Sequence, residues 1–402
     1  MRKMNRRKFV NLATISAIGA TVMPSIRAID SKKVYNISND HLPLSIPDNL
    51  KKMIEKTLTV PFREMTTNWD GSIQVEGLLR FAERGHRKSL DYAKNWFQYR
   101  LETDAKMTDE EYFGQWHTRA RARIDRSGPL TFSVYSANLG VAFPVYDLYK
   151  LTHNETARTV CIDVADAILH KVARDKYGMV AHDDNNFTRF AIPDTTYWAT
   201  RASAIAGKLT LGELSEVYYK QAIFQLDQGI DIFLDGKNGL VRTVLLGDKI
   251  GKTYWSRSQG WLLWSIVGLL RYLPESHPRF EYFSEKIRKI ADAVQKHQGK
   301  NGGLHVLVDD RSTPEEVSGM AMCLSALKES VRNGWIPDNY SEFFEKGFSY
   351  IKNSVDDNGN IRNVYTGWAI PAEERKTDII DKTKRGWAPG ILMVATDEMT
   401  KS

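Results

Sequence analysis

The sequence predicts an all-α protein, an (α/α)6 toroid with six buried helices forming an inner ring and six amphipathic helices around it. Three observations carry that prediction. Apolar residues recur at helical spacing from Leu50 onward, and the alternation of half-buried strands is scarce. Six segments open on a polar or small residue and then turn apolar on most faces, which demands burial, whereas the charged segments between them carry one apolar stripe and face water. The six recur every 57 to 69 residues, a long and degenerate period that suits a ring closed on itself better than an open solenoid.

The inner segments begin near Asp70, Ala137, Asp194, Ser258, Val317 and Gly386. Their charged partners are residues 88–102, 154–173, 212–233, 277–297 and 339–354, and residues 48–58 remain to serve the last inner segment. Short polar turns such as GHRKS and THNET make each pair antiparallel. Every inner helix then starts on the same face. The long connections 103–134, 234–257 and 355–385 gather there too, and long loops on a rigid scaffold are where function concentrates.

Residues 49–402 are therefore expected to form a single domain. Residues 29–48, with Pro43 and Pro47, read as a linker or an arm. Residues 1–28 read as an export signal: Arg6-Arg7-Lys8 precede an apolar run from Leu12 to Met23, and Ala28 offers a cleavage point. The paired arginines resemble a twin-arginine signal, with an ordinary secretory signal as the alternative. The expected location is periplasmic or secreted. That run is too short to span a bilayer, and no later window spans one, so no membrane partner is expected.

The formal net charge of +7 misleads, because residues 1–28 hold six basic residues and no acid. The remainder is close to neutral, which argues against a nucleic-acid partner. The nine histidines are scattered and form no HExxH, so no metal site is expected. A strand-borne GxGxxG and a P-loop are both missing, so no cofactor is expected. Cys161 and Cys323 fall in apolar helical patterns and read as buried free thiols.

Two places stand out for chemistry. Asp194 follows Pro193 at the start of the third inner segment. It is either a helix cap, favoured there by the dipole, or a general acid whose carboxyl is raised by apolar neighbours such as Tyr197 and Trp198. The stretch Tyr254-Trp255-Ser256-Arg257-Ser258-Gln259-Gly260-Trp261 puts three aromatics, a guanidinium and an amide at a loop-to-helix junction. There Arg257 could fork onto a carboxylate, Gln259 could bind a hydroxyl, and Trp255 or Trp261 could stack on a pyranose ring. The alternative is structural: Arg257 satisfies loop carbonyls and the tryptophans pack the ring. Arg189 is a second candidate carboxylate clamp. His182, Asp183 and Asp184 lie in the same approach to Asp194, and Glu316 and Ser318 open the fifth inner segment as ordinary caps.

Four stretches in order carry a resemblance. They are NWDGSIQVEGLLRFAERGHRKSLDYAKNWF, YWSRSQGWLLW, EEVSGMAMCLSAL and KRGWAPGILMVATDEM. Together, over roughly residues 60–400, the chain resembles glycoside hydrolase families 88 and 105, the unsaturated glucuronyl and unsaturated rhamnogalacturonyl hydrolases. The resemblance implies that Asp194, in the Asp194-Thr195 pair, is the general acid/base, and that Arg257 and Gln259 bind substrate. In family 88 a second aspartate opens the preceding inner helix; Asn138-Leu139-Gly140 stands there in this chain. Thr243 stands where family 105 has a histidine, and Ser258 where the family has glycine.

The implied activity is removal of a terminal 4,5-unsaturated uronic acid from oligosaccharides by hydration of its vinyl ether, without metal or cofactor. Arg257 and Arg189 would hold the uronate. Two alternatives remain open at this level: a saturated β-uronidase on the same barrel, and a carbohydrate-binding homologue without catalysis.

Overall fold

The computed structural model describes residues 35, 37–104, 122–123, 131–132, 136–182, 190–367, 379–381 and 386–401. Twelve α-helices lie among them. The inner six are α2 (Trp69–Glu83), α4 (Ala142–Thr152, entered through the 3-10 turn Ser136–Val141), α6 (Pro193–Leu209), α8 (Ser256–Leu270), α10 (Val317–Arg332) and α12 (Ala388–Thr400). The outer six are α3 (Arg87–Asp104), α5 (Glu155–His170), α7 (Gly212–Phe233), α9 (Phe280–Lys296), α11 (Ser341–Asn353) and α1 (Asp48–Thr57). Each inner helix packs on the inner helix before it and the one after it, and α12 packs on α2, so the ring closes. The last hairpin joins the two ends of the domain, with α1 against α12. This is the (α/α)6 toroid the periodicity predicts.

The two rings differ as their patterns require. Every residue of α8 is buried. In α9 burial follows one stripe through Phe280, Phe283, Ile287, Ile290 and Val294, the three- and four-residue spacing of a single helix face. Asn68 caps α2 by accepting from the backbone N–H of Asp70 at 3.0 Å, and Glu316 caps α10. Strands are confined to the connections. They are the antiparallel pairs β1 (Ala122–Arg123) with β2 (Thr131–Phe132), β6 (Leu304–His305) with β7 (Glu315–Glu316), and β8 (Tyr365–Gly367) with β9 (Ile379–Asp381). The ribbon β3 (Phe190–Ala191), β4 (Leu245–Leu246), β5 (Lys249–Ile250) completes the set.

One repeat escaped the sequence reading. Four connections from an outer helix to the next inner helix begin with the same tight turn, closed by the bridges Arg174↔Val180, Leu234↔Val241, Gln298↔Leu304 and Val355↔Ile361. In three of them an aspartate opens the turn and accepts backbone N–H groups: Asp175 from Tyr177 (2.8 Å), Asp235 from Lys237 (2.9 Å) and Asp356 from Asn358 (2.9 Å). Glu315 does this work from β7 in the fourth, accepting from Gly303 at 2.9 Å. Each turn also needs a glycine with positive φ; at Gly359 φ is 75° and an added Cβ would stand 2.6 Å from the Met53 nitrogen.

The expected arm is docked over its described part. Asn39 donates to Gly85 at 3.1 Å and accepts from Arg87 at 2.8 Å, Arg87 pairs with Asp40, and Leu42 and Ile46 are buried. The expected export signal, residues 1–28, lies outside the described residues. Among the described residues no helix is long and apolar enough to cross a membrane. Both cysteines are buried and free.

Candidate active site

The first turns of the inner helices share one face, and the two singled-out stretches meet there. Pro193 takes the first helical position of α6, where it has no N–H to lose and its φ is already helical. The cap position belongs to Ile192, which is extended and has no capping side chain. Thr195 bonds back to the Ile192 carbonyl through its N–H (3.1 Å) and its hydroxyl (2.8 Å). Asp194 therefore stands inside the first turn rather than at the cap. Burial pushes its carboxyl up to about 7, although the Arg257 guanidinium and its own backbone N–H pull it down. Desolvation of the charged form is the larger effect.

Arg257 is the second residue of α8. It is buried and lies over two indoles, with its guanidinium carbon 4.3 Å from the Trp255 ring centre and 4.8 Å from that of Trp387. Nη1 donates to the Tyr365 carbonyl at 2.7 Å and to Ser318 Oγ at 3.4 Å. Four stretches of chain thus fix one guanidinium close enough to Asp194 to act on its charge. The aromatic faces hold the flat cation in one plane, which a lysine would not reproduce. Trp387 was not singled out from sequence as a site residue. Its signal was the position of GWAPG at the head of the sixth inner helix, matching SQGW at the fourth.

The other expected residues divide. Gln259 is fully buried, and its amide is committed to backbone: Oε1 accepts from Val241 at 2.7 Å, and Nε2 donates to the carbonyls of Val241 (2.8 Å) and Trp255 (2.9 Å). With both N–H groups engaged, Gln259 ties the chain at Val241 to the start of α8, a supporting role beside the one expected from its place next to Arg257. Thr243 acts in the same region, accepting from the Trp255 N–H at 3.0 Å and donating to the Thr253 carbonyl at 3.1 Å. Glu316 is fully buried and saturated by Ser256 Oγ and by Ser318 and Gly319, as a cap should be.

Trp198 and Trp261 are nearly fully buried, and they form a floor. Trp69 meets Trp261 at 4.6 Å, Tyr197 at 6.0 Å and Trp198 at 6.1 Å between ring centres, and Trp264 joins beneath. Helices α2 and α8 lie opposite one another in the ring, so this contact closes the bore across its diameter. Trp255 is only partly buried and sits at the rim beside Arg257. The indole N–H groups of Trp198 and Trp255 are buried and meet no acceptor.

Asn138 is fully buried in the 3-10 turn leading into α4. Two residues on, the Gly140 backbone approaches Trp69 and Trp198. The turn is pinned by Ser136, whose N–H and hydroxyl donate to the His182 carbonyl at 3.2 and 3.1 Å. Arg189, Asp183 and Asp184 lie outside the described residues. No group of three potential metal ligands occurs among the described residues.

An acid whose carboxyl burial raises, a stacked guanidinium and an aromatic floor thus share one face of a six-hairpin ring. The chain belongs to glycosyl hydrolase family 88, whose profile matches residues 48–402, and it is a glycoside hydrolase. It is similar to the unsaturated rhamnogalacturonyl hydrolase YesR of Bacillus subtilis, with 23% identity over 325 residues, covering 78% of this chain and 91% of that protein. Its fold matches a possible member of the GH105 family from Salmonella enterica serovar Paratyphi A, with TM-score 0.72 and 16% identity over 90% of this chain and 96% of the other. It also matches an unsaturated glucuronyl hydrolase specific for heparin, with TM-score 0.60 and 14% identity over 88% and 95% of the two chains.

Proposed function

We propose that this hydrolase removes a terminal 4,5-unsaturated uronic acid from oligosaccharides, with Asp194 as general acid and then base. The observation that carries the reading is the Asp194 carboxyl, raised to about 7 beside Arg257. Asp194 gives its proton to carbon 4 of the vinyl ether. Water adds at carbon 5 and returns a proton to the carboxylate. The resulting hemiketal opens and the neighbouring sugar leaves with its hydroxyl restored. One carboxyl suffices, so the paired-carboxylate spacing of ordinary glycosidases is not needed.

Arg257 receives the uronate. Binding an anion there offsets the one cation that lowers the Asp194 pKa, so substrate itself keeps the acid protonated. The partly buried Trp255 ring supplies a rim for stacking. Arg189 is the proposed second clamp, and Asn138 occupies the place where family 88 has an aspartate. A saturated β-uronidase would need a second carboxylate, and Glu316, the described candidate, is already saturated by its capping bonds. Residues 1–28 support export to the periplasm or beyond; fractionation showing uncleaved protein in the cytoplasm would remove that part.

The deciding experiment incubates the protein with lyase-generated unsaturated oligosaccharides and follows the ultraviolet absorbance of the double bond. Loss of absorbance with release of the shortened oligosaccharide is expected. Release of a saturated uronic acid from uncleaved oligosaccharides, with the double-bond substrates untouched, would overturn the reading.

A further inference from the structure

Below the aromatic floor the bore becomes ionic. Arg201 of α6 forks onto Glu76 of α2 at 2.8 and 3.0 Å and lies 4.2 Å from the Phe143 ring centre. Arg271, at the end of α8, forks onto Glu329 of α10. Arg80 of α2 makes only long contacts, 3.4 Å to Glu76 and 3.7 Å to Glu398 of α12. Burial works against all three guanidiniums, but the surrounding carboxylates, Glu76, Asp147 and Glu329 among them, outweigh it, and each is raised above its ordinary value. All three stay charged.

Arg80, Arg201 and Arg271, with Glu76, Tyr197 and Trp264, line a cavity of about 10 Å³, room for a single water-sized occupant. Its hydrogen-bonding groups do not balance. The Nε–H groups of Arg80 and Arg201 are buried and meet no acceptor among the described residues, while Arg80 is 9% and Arg201 1% exposed. Both Glu76 oxygens already accept from arginine. The Tyr197 oxygen accepts from Arg201, and the Trp264 N–H goes to Ser325 Oγ at 3.0 Å. Donors outnumber the acceptor capacity that remains, which is one position on Glu76 Oε2.

A stranded buried donor costs about 1–3 kcal/mol. A water in the cavity would answer the two Nε–H groups but, with one position on Glu76 Oε2 left to accept, would strand one of its own protons. A monatomic anion accepts from both and has nothing to donate. Three guanidiniums and one carboxylate line the cavity; Glu329 and Glu398 pair with Arg271 and Arg80 from behind, and Arg80 is the guanidinium whose ion pairs are longest.

We propose that this cavity is a binding site for one chloride ion, held by Arg80 and Arg201 and tying α2, α6 and α8 together beneath the floor of the active site. The proposal is independent of what the opposite face hydrolyses. A ligand that binds only the folded state raises stability in step with its concentration.

The test compares thermal unfolding in sodium chloride and sodium gluconate at equal sodium concentration and pH, and pairs it with a crystal soaked in sodium bromide. The expected result is a saturable rise of about 2 °C in chloride that gluconate does not reproduce. The crystal should show one anomalous bromide peak within hydrogen-bond reach of Arg80 and Arg201. Arg80→Gln keeps a donor but removes a charge, so it should fold with unchanged far-ultraviolet dichroism and lose the chloride-specific rise. If that variant does not fold, the bromide map of the unaltered protein decides. A map without an anomalous peak in the cavity overturns the proposal, whatever the melting curves do.

Discussion

At the scale of single residues, Asp194 and Gln259 separate chemistry from support. Asp194→Asn should lower turnover by about 10²–10⁴-fold with little loss of stability, measured by steady-state rates beside a denaturant titration. The pH dependence follows from the sign of the shift. The acid must be protonated, so kcat/KM should be level below about 7 and fall tenfold per unit above it. In Arg257→Met the falling limb of any residual activity should move to higher pH, because the cation that pulls the carboxyl down is gone. Linkage gives a second readout. The native state keeps a proton that the unfolded chain loses between the ordinary carboxylate value of 3.8 and about 7, so stability falls as pH rises through that window. Asp194→Asn should flatten that fall, seen as unfolding temperatures at pH 5 and pH 8 drawing together. Gln259→Leu should behave oppositely to Asp194→Asn. It strands the Val241 N–H and carbonyl, costs about 1–3 kcal/mol by chemical denaturation, and leaves the pH profile of the folded fraction in place. Asp194 and Arg257 were singled out because Asp194-Thr195 and YWSRSQGWLLW resemble family motifs; the local pattern alone, an acid in the first turn after Pro193, reads equally as a helix cap. The bonds that Gln259 makes were not legible, because its partner Val241 is 18 positions away and nothing in the local pattern marks that pairing.

At the scale of elements, the hairpins were legible and the turns between them were not. Inner and outer helices differ in how many faces are apolar, and α8 and α9 show that difference directly. The four tight turns at the site face repeat a geometry rather than a sequence. An aspartate opens three of them and Glu315 supports the fourth from a separate strand, so no string comparison reveals the set. Two glycines test how much such turns matter. Gly359 and Gly212 both have positive φ, 75° and 61°, but only Gly359 has backbone against it; nothing lies within 4 Å of a Cβ at Gly212. Gly359→Ala should destabilise by about 1–3 kcal/mol beyond the strain that Gly212→Ala shows on its own. Equal unfolding midpoints for the two variants would mean that the contact with α1 carries no weight.

At the scale of the whole molecule, closure of the ring is a property of the two ends of the domain. Helix α12 is wedged between α2 and α10 and carries α1 on its outer side. A chain ending at residue 385 would leave two inner helices without a neighbour and α1 held only by its contacts with residues 352–360. It should lose cooperative unfolding, read as a broad, sloping far-ultraviolet dichroism melt in place of one sharp transition; a sharp melt at the unaltered midpoint would show that five hairpins are enough. Closure also shapes traffic. With Trp69 against Trp261 across the bore, the ring is a cup and not a tunnel. Whatever enters by the rim must leave by the rim. On the proposed reading, with Asp194 as the acid, a polymer is not threaded through and presents only its tip. Each turnover then clears the doorway before the next chain end arrives, so departure of the trimmed chain and fresh arrival compete for one opening.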